Sequence, residues 1–224
     1  LNVGQRKWSD EMLEAMGWNK GWLPEVTEST VMSTNISADG SEATGLAEGT
    51  PVAAGGGDCA VQAVGSSIVQ EGKVSVTLGT SGVVFAQSDE YRVEPEGKLH
   101  AFCHAVPGKW HLMGVMLSAA GSFQWYKNNL GDFESKQEEE GAGNAYDILT
   151  RKAGTIKPGS DGLIFLPYLS GERSPYPDPY AKGCFIGLSL RHKKEHLSRS
   201  VLEGVSFGLK DSLQMMKKLA VSYT

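Results

Sequence analysis

Apolar residues recur along this chain in two kinds of pattern. Two strand-like runs, residues 74–78 and 83–87, flank Gly79-Thr80-Ser81-Gly82 and predict a β-hairpin. Residues 98–104 and 110–116 read as two more strands, joined through Pro107-Gly108. By contrast, Leu197, Val201, Val205, Leu209, Leu213 and Met216 recur at helical spacing and predict a long amphipathic helix over 196–219. Shorter helices are expected at 9–16, capped by Ser9 with Gly17 near its end, and at 118–128 and 146–152. Another is expected at 59–69, with small residues Ala60, Ala63 and Gly65 on it and Gly72 as its stop. Residues 51–54 and 162–166 read as buried strands, and 24–47 as loop with short strands. The charged segment 133–140 reads as a solvated turn, and 171–182, with Pro175, Pro177 and Pro179, as an ordered loop. The alternation is α/β, and no internal repeat is visible.

Composition narrows the classes. The chain has 224 residues, 40% of them hydrophobic, enough for one large or two smaller domains with a core. The net charge of -5 comes without a basic patch, which argues against a nucleic-acid partner. No apolar run approaches the roughly 18 residues of a membrane span, so no membrane partner is expected. The opening residues carry Arg6, Lys7 and Asp10 and do not read as a secretory leader. Cys59, Cys103 and Cys184 are odd in number and widely spaced, which points to free thiols in a reducing cytoplasm.

The chemistry concentrates in two turns. Gly55-Gly56-Gly57-Asp58-Cys59-Ala60 joins a strand to a helix and places one carboxylate at the turn. Leu78-Gly79-Thr80-Ser81-Gly82 makes a tight, hydroxyl-lined turn whose backbone N–H groups can approach phosphate oxygens closely. Sugar hydroxyls are poor nucleophiles near neutral pH, so a kinase needs a carboxylate to orient the hydroxyl and take its proton. Asp58 is the candidate, although an aspartate there could equally cap the following helix. The glycines also fit a loose dinucleotide-binding pattern, but the acidic residue expected about 20 positions on is replaced by residues 77–80. Ser81 lacks the following glycine of an esterase elbow, because Val83 stands there. His192-Lys193-Lys194-Glu195-His196 matches a zinc-protease spacing but covers a charged turn at a helix start. His100, Cys103 and His104 alternate faces on a strand, so Cys103 and His104 point apart. No metal site is expected, and Trp110-His111 reads as strand core.

At these turns the chain resembles the FGGY carbohydrate kinases. Three further stretches carry the resemblance: Phe102-Cys103-His104-Ala105-Val106-Pro107 through Trp110-His111-Leu112-Met113 to Ala120; Leu166-Pro167-Tyr168-Leu169-Ser170-Gly171-Glu172-Arg173; and residues 183–203, with Gly187-Leu188, His196-Leu197, Ser200 and Glu203. The resemblance implies an actin-like ATPase (ribonuclease H-like) fold. Residues 1–70 would end a first, sugar-binding domain, and residues 71–224 would form most of the core of a second, nucleotide-binding one. It further implies transfer of a phosphoryl group from ATP to the terminal hydroxyl of D-xylulose. Asp58 would be the general base, and Asp58 and Cys59 would bind the sugar. Gly79, Thr80, Ser81, Ala120, Gly121 and Gln124 would bind ATP. Mg²⁺ would be held through phosphates and carboxylates outside this segment. Glu172 and Arg173 would lie near the cleft, as an ion pair pinning their loop or as a ligand contact. Family members often carry an amide after the aspartate, where this chain has Cys59. Another ketose, a polyol or a sugar acid therefore stays open as substrate, as does a non-catalytic actin-like nucleotide-binding module. The implied partners are a small-molecule sugar and a second copy in a homodimer. Opening on Leu1, the segment is expected to be the central part of a longer enzyme and inactive by itself.

Overall fold

The computed structural model describes residues 1–219. Residues 220–224, the end of the expected second domain, lie outside the described residues. Helix α1 (Asp10–Met16) starts where the Ser9 hydroxyl accepts the Met12 N–H and stops at Gly17, whose φ of 64° is left-handed. Strands β1 (Met32–Asn35) and β2 (Pro51–Ala53) pair antiparallel around helix α2 (Ala38–Thr44). A glycine turn leads into α3 (Asp58–Gly65). Strands β3 (Val74–Leu78), β4 (Gly82–Ser88), β5 (His100–Cys103) and β6 (Trp110–Met116) form an antiparallel sheet in the order β3-β4-β6-β5. Helices α4 (Ala120–Leu130), α5 (Asp132–Glu139) and α6 (Ala145–Ala153) follow, then the paired strands β7 (Ile164–Leu166) and β8 (Cys184–Ile186). Helix α7 (Lys194–Lys218) closes the described chain.

The core is built around α7. Its apolar stripe meets the central strands, burying Val205, Leu209 and Met216 against Val84, Ala86, Leu112 and Met116. Each such side chain contributes roughly 1.5–3 kcal/mol on burial. Close approach depends on glycine: a Cβ at Gly114 would lie 2.8 Å from that of Ser212, and one at Gly208 would run into Met116. Toward its N-terminus α7 joins a second cluster, in which Val201 packs with Phe123, Tyr126, Leu149 and Phe165. Among the described residues of segment 1–57, Leu13 alone is a buried apolar side chain. No helix of the described residues is long and apolar enough to cross a membrane.

Several local expectations are corrected. Segment 24–47 contains helix α2, which local capping secures: Ser37 accepts the Gly40 N–H, and Gly45 ends the helix with φ 76°. Strand β2 is largely exposed rather than buried, because β1 is the strand it pairs with. Helix α3 ends at Gly65 and not near Gly72, since Ser67 adopts φ 59° and the Ile68 N–H turns back to the Ala63 carbonyl. In β7 Phe165 is buried but Ile164 is exposed. The charged segment expected as a turn is helix α5, and its Glu134 is fully buried. Lys152 of α6 donates to Glu134 at 2.7 Å and Lys194 of α7 donates to its other oxygen, so one carboxylate ties three helices together. Burial alone would raise its pKa, but the two lysines and backbone N–H contacts outweigh that and hold it below the usual carboxylate range.

Candidate active site

The first turn presents a carboxylate with little attached to it. The Ala54 and Gly55 N–H groups donate to the Val31 and Ser29 carbonyls, and Gly55 takes φ 73°. Gly57 occupies the N-cap of α3, and its carbonyl accepts from Ala60 and Val61. Asp58 is therefore the first helical residue and does not occupy the N-cap. Its exposed carboxylate accepts one hydrogen bond, from the Cys59 N–H at 2.7 Å, and sits favourably at the positive end of the helix. Burial pushes the neighbouring Cys59 thiol up, and the Asp58 carboxylate adds to this, so Cys59 remains a neutral thiol.

Asp58 lines two clefts. One, of about 280 Å³, brings it together with Cys59, Phe102, Cys103, His111 and Met113. The other, of about 410 Å³, sets it and Gln62 across from Ser75, Val76 and Thr77 of β3. Strand β3 runs on from Thr77 through Leu78 into the second turn, which carries Thr80 three residues further along the chain. On the far side of the glycines, Arg6 holds both Glu28 oxygens, at 2.8 and 3.1 Å, and covers the Trp110 ring at 4.4 Å. That contact, which has no signal in the local sequence, fastens the opening segment to β6.

The second turn is tied down from outside. Residues 79–81 connect β3 to β4, with the Gly79 N–H donating to the Ser81 carbonyl at 3.0 Å. The N–H groups of Ala119 and Gly121 donate to the Thr80 carbonyl at 2.8 and 3.2 Å, and that of Ala120 donates to the Gly79 carbonyl at 3.0 Å. The Ser81 hydroxyl donates to the Leu117 carbonyl at 3.4 Å. The Leu117 N–H donates in turn to buried Glu172, at 3.1 Å. The Thr80 side chain is exposed and has no protein hydrogen-bond partner among the described residues.

This geometry changes the reading of α4. The Ala120 and Gly121 N–H groups are already used by the turn and are not free for phosphate. A Cβ at Gly121 would lie 2.9 Å from the Thr80 carbonyl oxygen, so the turn itself requires glycine there. Ala120 and Gln124 are both exposed, one helical turn apart on the same face. Glu172 and Arg173 do not form an ion pair among the described residues. Glu172 fixes the loop by accepting the Arg173 and Leu117 N–H groups, while burial pushes its carboxyl up.

The two turns fall in two family domains. Residues 1–65 match the model of the N-terminal domain of the FGGY family of carbohydrate kinases, and residues 74–223 match that of its C-terminal domain. The chain belongs to the FGGY family. It is 39% identical to the xylulose kinase of Lactococcus lactis over 97% of this chain and 41% of that protein. To the gluconokinase of Bacillus subtilis it is 31% identical, over 93% of this chain and 40% of that protein. The chain thus spans about two fifths of the length of the curated relatives it matches. Among solved structures, the xyloylose kinase of Brucella ovis superposes with a TM-score of 0.86 at 38% identity, covering 100% of this chain and 44% of that one. The fold is the actin-like ATPase fold of the FGGY sugar kinases.

Beside the FGGY turns, the histidines divide by how well they are satisfied. His104 is buried, with Nε2 3.0 Å from the Ile68 carbonyl and Nδ1 accepting the Val106 N–H at 2.9 Å. His192 and His196 use their ring nitrogens on Ser189, Lys193 and Asp161. No group of three or more metal-ligating side chains is assembled among the described residues. His111 is strand core, as its sequence position implies, but it also borders the cleft that holds Asp58. Locating it there requires the register of β6 against β5, which pairs Phe102 with His111.

Proposed function

We propose that the protein carrying this chain is an ATP-dependent kinase that phosphorylates the terminal hydroxyl of D-xylulose to give D-xylulose 5-phosphate. The observation that carries this reading is the Asp58 carboxylate, exposed at the start of α3 in a cleft whose far wall is the strand leading to Thr80. Asp58 orients the sugar hydroxyl and accepts its proton as the oxygen attacks phosphorus. One carboxylate oxygen is steadied by the Cys59 N–H, which leaves the other for the hydroxyl. The Thr80 hydroxyl and the N–H groups of Thr80 and Ser81 steady phosphate charge, in a turn whose position is already fixed by α4. Bound ATP supplies the phosphoryl group. The described residues form no acidic cluster for Mg²⁺, so no step is assigned to the metal through this chain. On this reading, residues 1–70 serve the sugar side and residues from 71 onward the nucleotide side.

D-Xylulose is favoured because three xylulose kinases reach 38–39% identity, while in Bacillus subtilis the xylulose kinase and the gluconokinase are both 31% identical. Coupled ADP release by the complete protein, with a panel of ketoses, polyols and sugar acids, tests the proposal. Selective turnover of D-xylulose supports it. Selective turnover of D-gluconate keeps the kinase and moves the substrate, and no sugar-stimulated release refutes the kinase.

A further inference from the structure

His111 is buried to 3% exposure, yet its Nδ1 is sealed from solvent without any hydrogen-bond partner. Its ring lies flat on Phe85, with centroids 4.3 Å apart, meets His104 edge-on at 5.8 Å and touches Phe102 at 5.5 Å. A core position needing only an aromatic plate would be better filled by phenylalanine, which has no nitrogen to leave unsatisfied. His104, its neighbour, has both nitrogens satisfied by backbone. The difference between them is that His111 lines the 280 Å³ cleft shared with Asp58 and Cys59.

The protonation state follows from the surroundings. Burial, with a further push from His104, lowers the His111 pKa from 6.5 to about 4, so the ring is neutral at physiological pH and carries one N–H. Placing that proton on sealed Nδ1 would bury a donor with no acceptor. Placing it on Nε2 leaves only a lone pair sealed and gives the cleft a hydrogen-bond donor. The side chains of Leu1, Phe102, Met113, Cys59 and Cys103 supply apolar walls, and among the described residues no Lys or Arg side chain lines this cleft. Of the side chains that line it, the Asp58 carboxylate is the charged one, and it repels an anionic ligand.

We propose that His111 contacts substrate in this cleft: its Nε2–H donates to a hydroxyl or carbonyl oxygen of the acceptor sugar, beside the Asp58 carboxylate that disfavours a sugar acid. The inference rests on the sugar-kinase reading above and names a residue that holds the sugar in its site. It assigns a ligand contact to a residue that otherwise reads as core.

The test is calorimetric titration of the complete protein with D-xylulose and with D-gluconate, beside steady-state kinetics. His111→Phe keeps the aromatic plate and removes the donor; His111→Gln restores an N–H at similar reach. The expected result for His111→Phe is about 10-fold weaker D-xylulose binding and a matching rise in its KM. Its KM for ATP stays unchanged. His111→Gln recovers part of the loss. Equal D-xylulose affinity in wild type and His111→Phe overturns the inference alone, as does a parallel rise in both KM values. D-Xylulose binding without ADP release overturns the kinase reading alone, and no D-xylulose binding overturns both. Should the variants fail to fold, side-chain ¹⁵N spectra of the wild type decide. The His111 Nε2–H signal must move on adding D-xylulose, and a signal that stays in place refutes the contact.

Discussion

The turns at residues 55–58 and 79–81 are both short, glycine-rich ends of strands, and they are held in opposite ways. The second is clamped: three N–H groups at the start of α4 bind its carbonyls, and Ser81 leans on a Leu117 peptide that Glu172 fixes from behind. The first is held by two backbone hydrogen bonds, to residues 29 and 31, and among the described residues Asp58 accepts only the amide of the next residue. The contrast matches the two tasks. A turn that steadies phosphate charge works best when preorganised. A base needs a lone pair that no protein group has taken.

Breaking one turn at a time should separate the tasks. Asp58→Asn keeps shape and removes basicity; turnover of the complete protein should fall by about 10²–10⁴, as read by ADP release. Gly121→Ala brings a methyl against the Thr80 carbonyl and should raise the KM for ATP about tenfold with little change in that for sugar. A variant remote from both turns sharpens the comparison. Glu134→Ala releases Lys152 and Lys194, which can still reach water, so urea unfolding should show a loss of about 1–3 kcal/mol with both KM values intact.

A further effect is a pH dependence. Unfolded His111 takes up a proton below 6.5, whereas the folded ring resists until about 4. The stability this residue leaves intact above 6.5 is therefore lost as pH falls toward 4. Between pH 7 and 5 the loss is about 2 kcal/mol, and it should vanish in His111→Phe when the two proteins are unfolded side by side.

What could be read from the sequence was what local chemistry decides. Ser9 and Gly17 bracket α1, the runs around residues 79–82 make the β3–β4 hairpin, and Val201, Val205, Leu209 and Met216 mark the buried face of α7. Helix α5 escaped because its residues are nearly all polar. Glu134 is buried by lysines from two helices that lie far along the chain. The α3 terminus escaped because it turns on Ser67 in a conformation unusual for serine. At the site, Asp58 and the residues 79–81 could be picked out by type and position. That α4 spends its first N–H groups on the turn could not, since the partners are some 40 residues apart and meet only when the sheet forms. His111 was legible as strand core, but its border on the Asp58 cleft depends on α3 packing beside β5 and β6.

The most direct test of the division between the turns is ADP affinity in Asp58→Asn, measured by calorimetry on the complete protein alongside its sugar-stimulated turnover. The predicted result is wild-type ADP binding in a variant that no longer turns over sugar. Retained turnover, or ADP binding lost together with it, would contradict the assignment of Asp58 as the base.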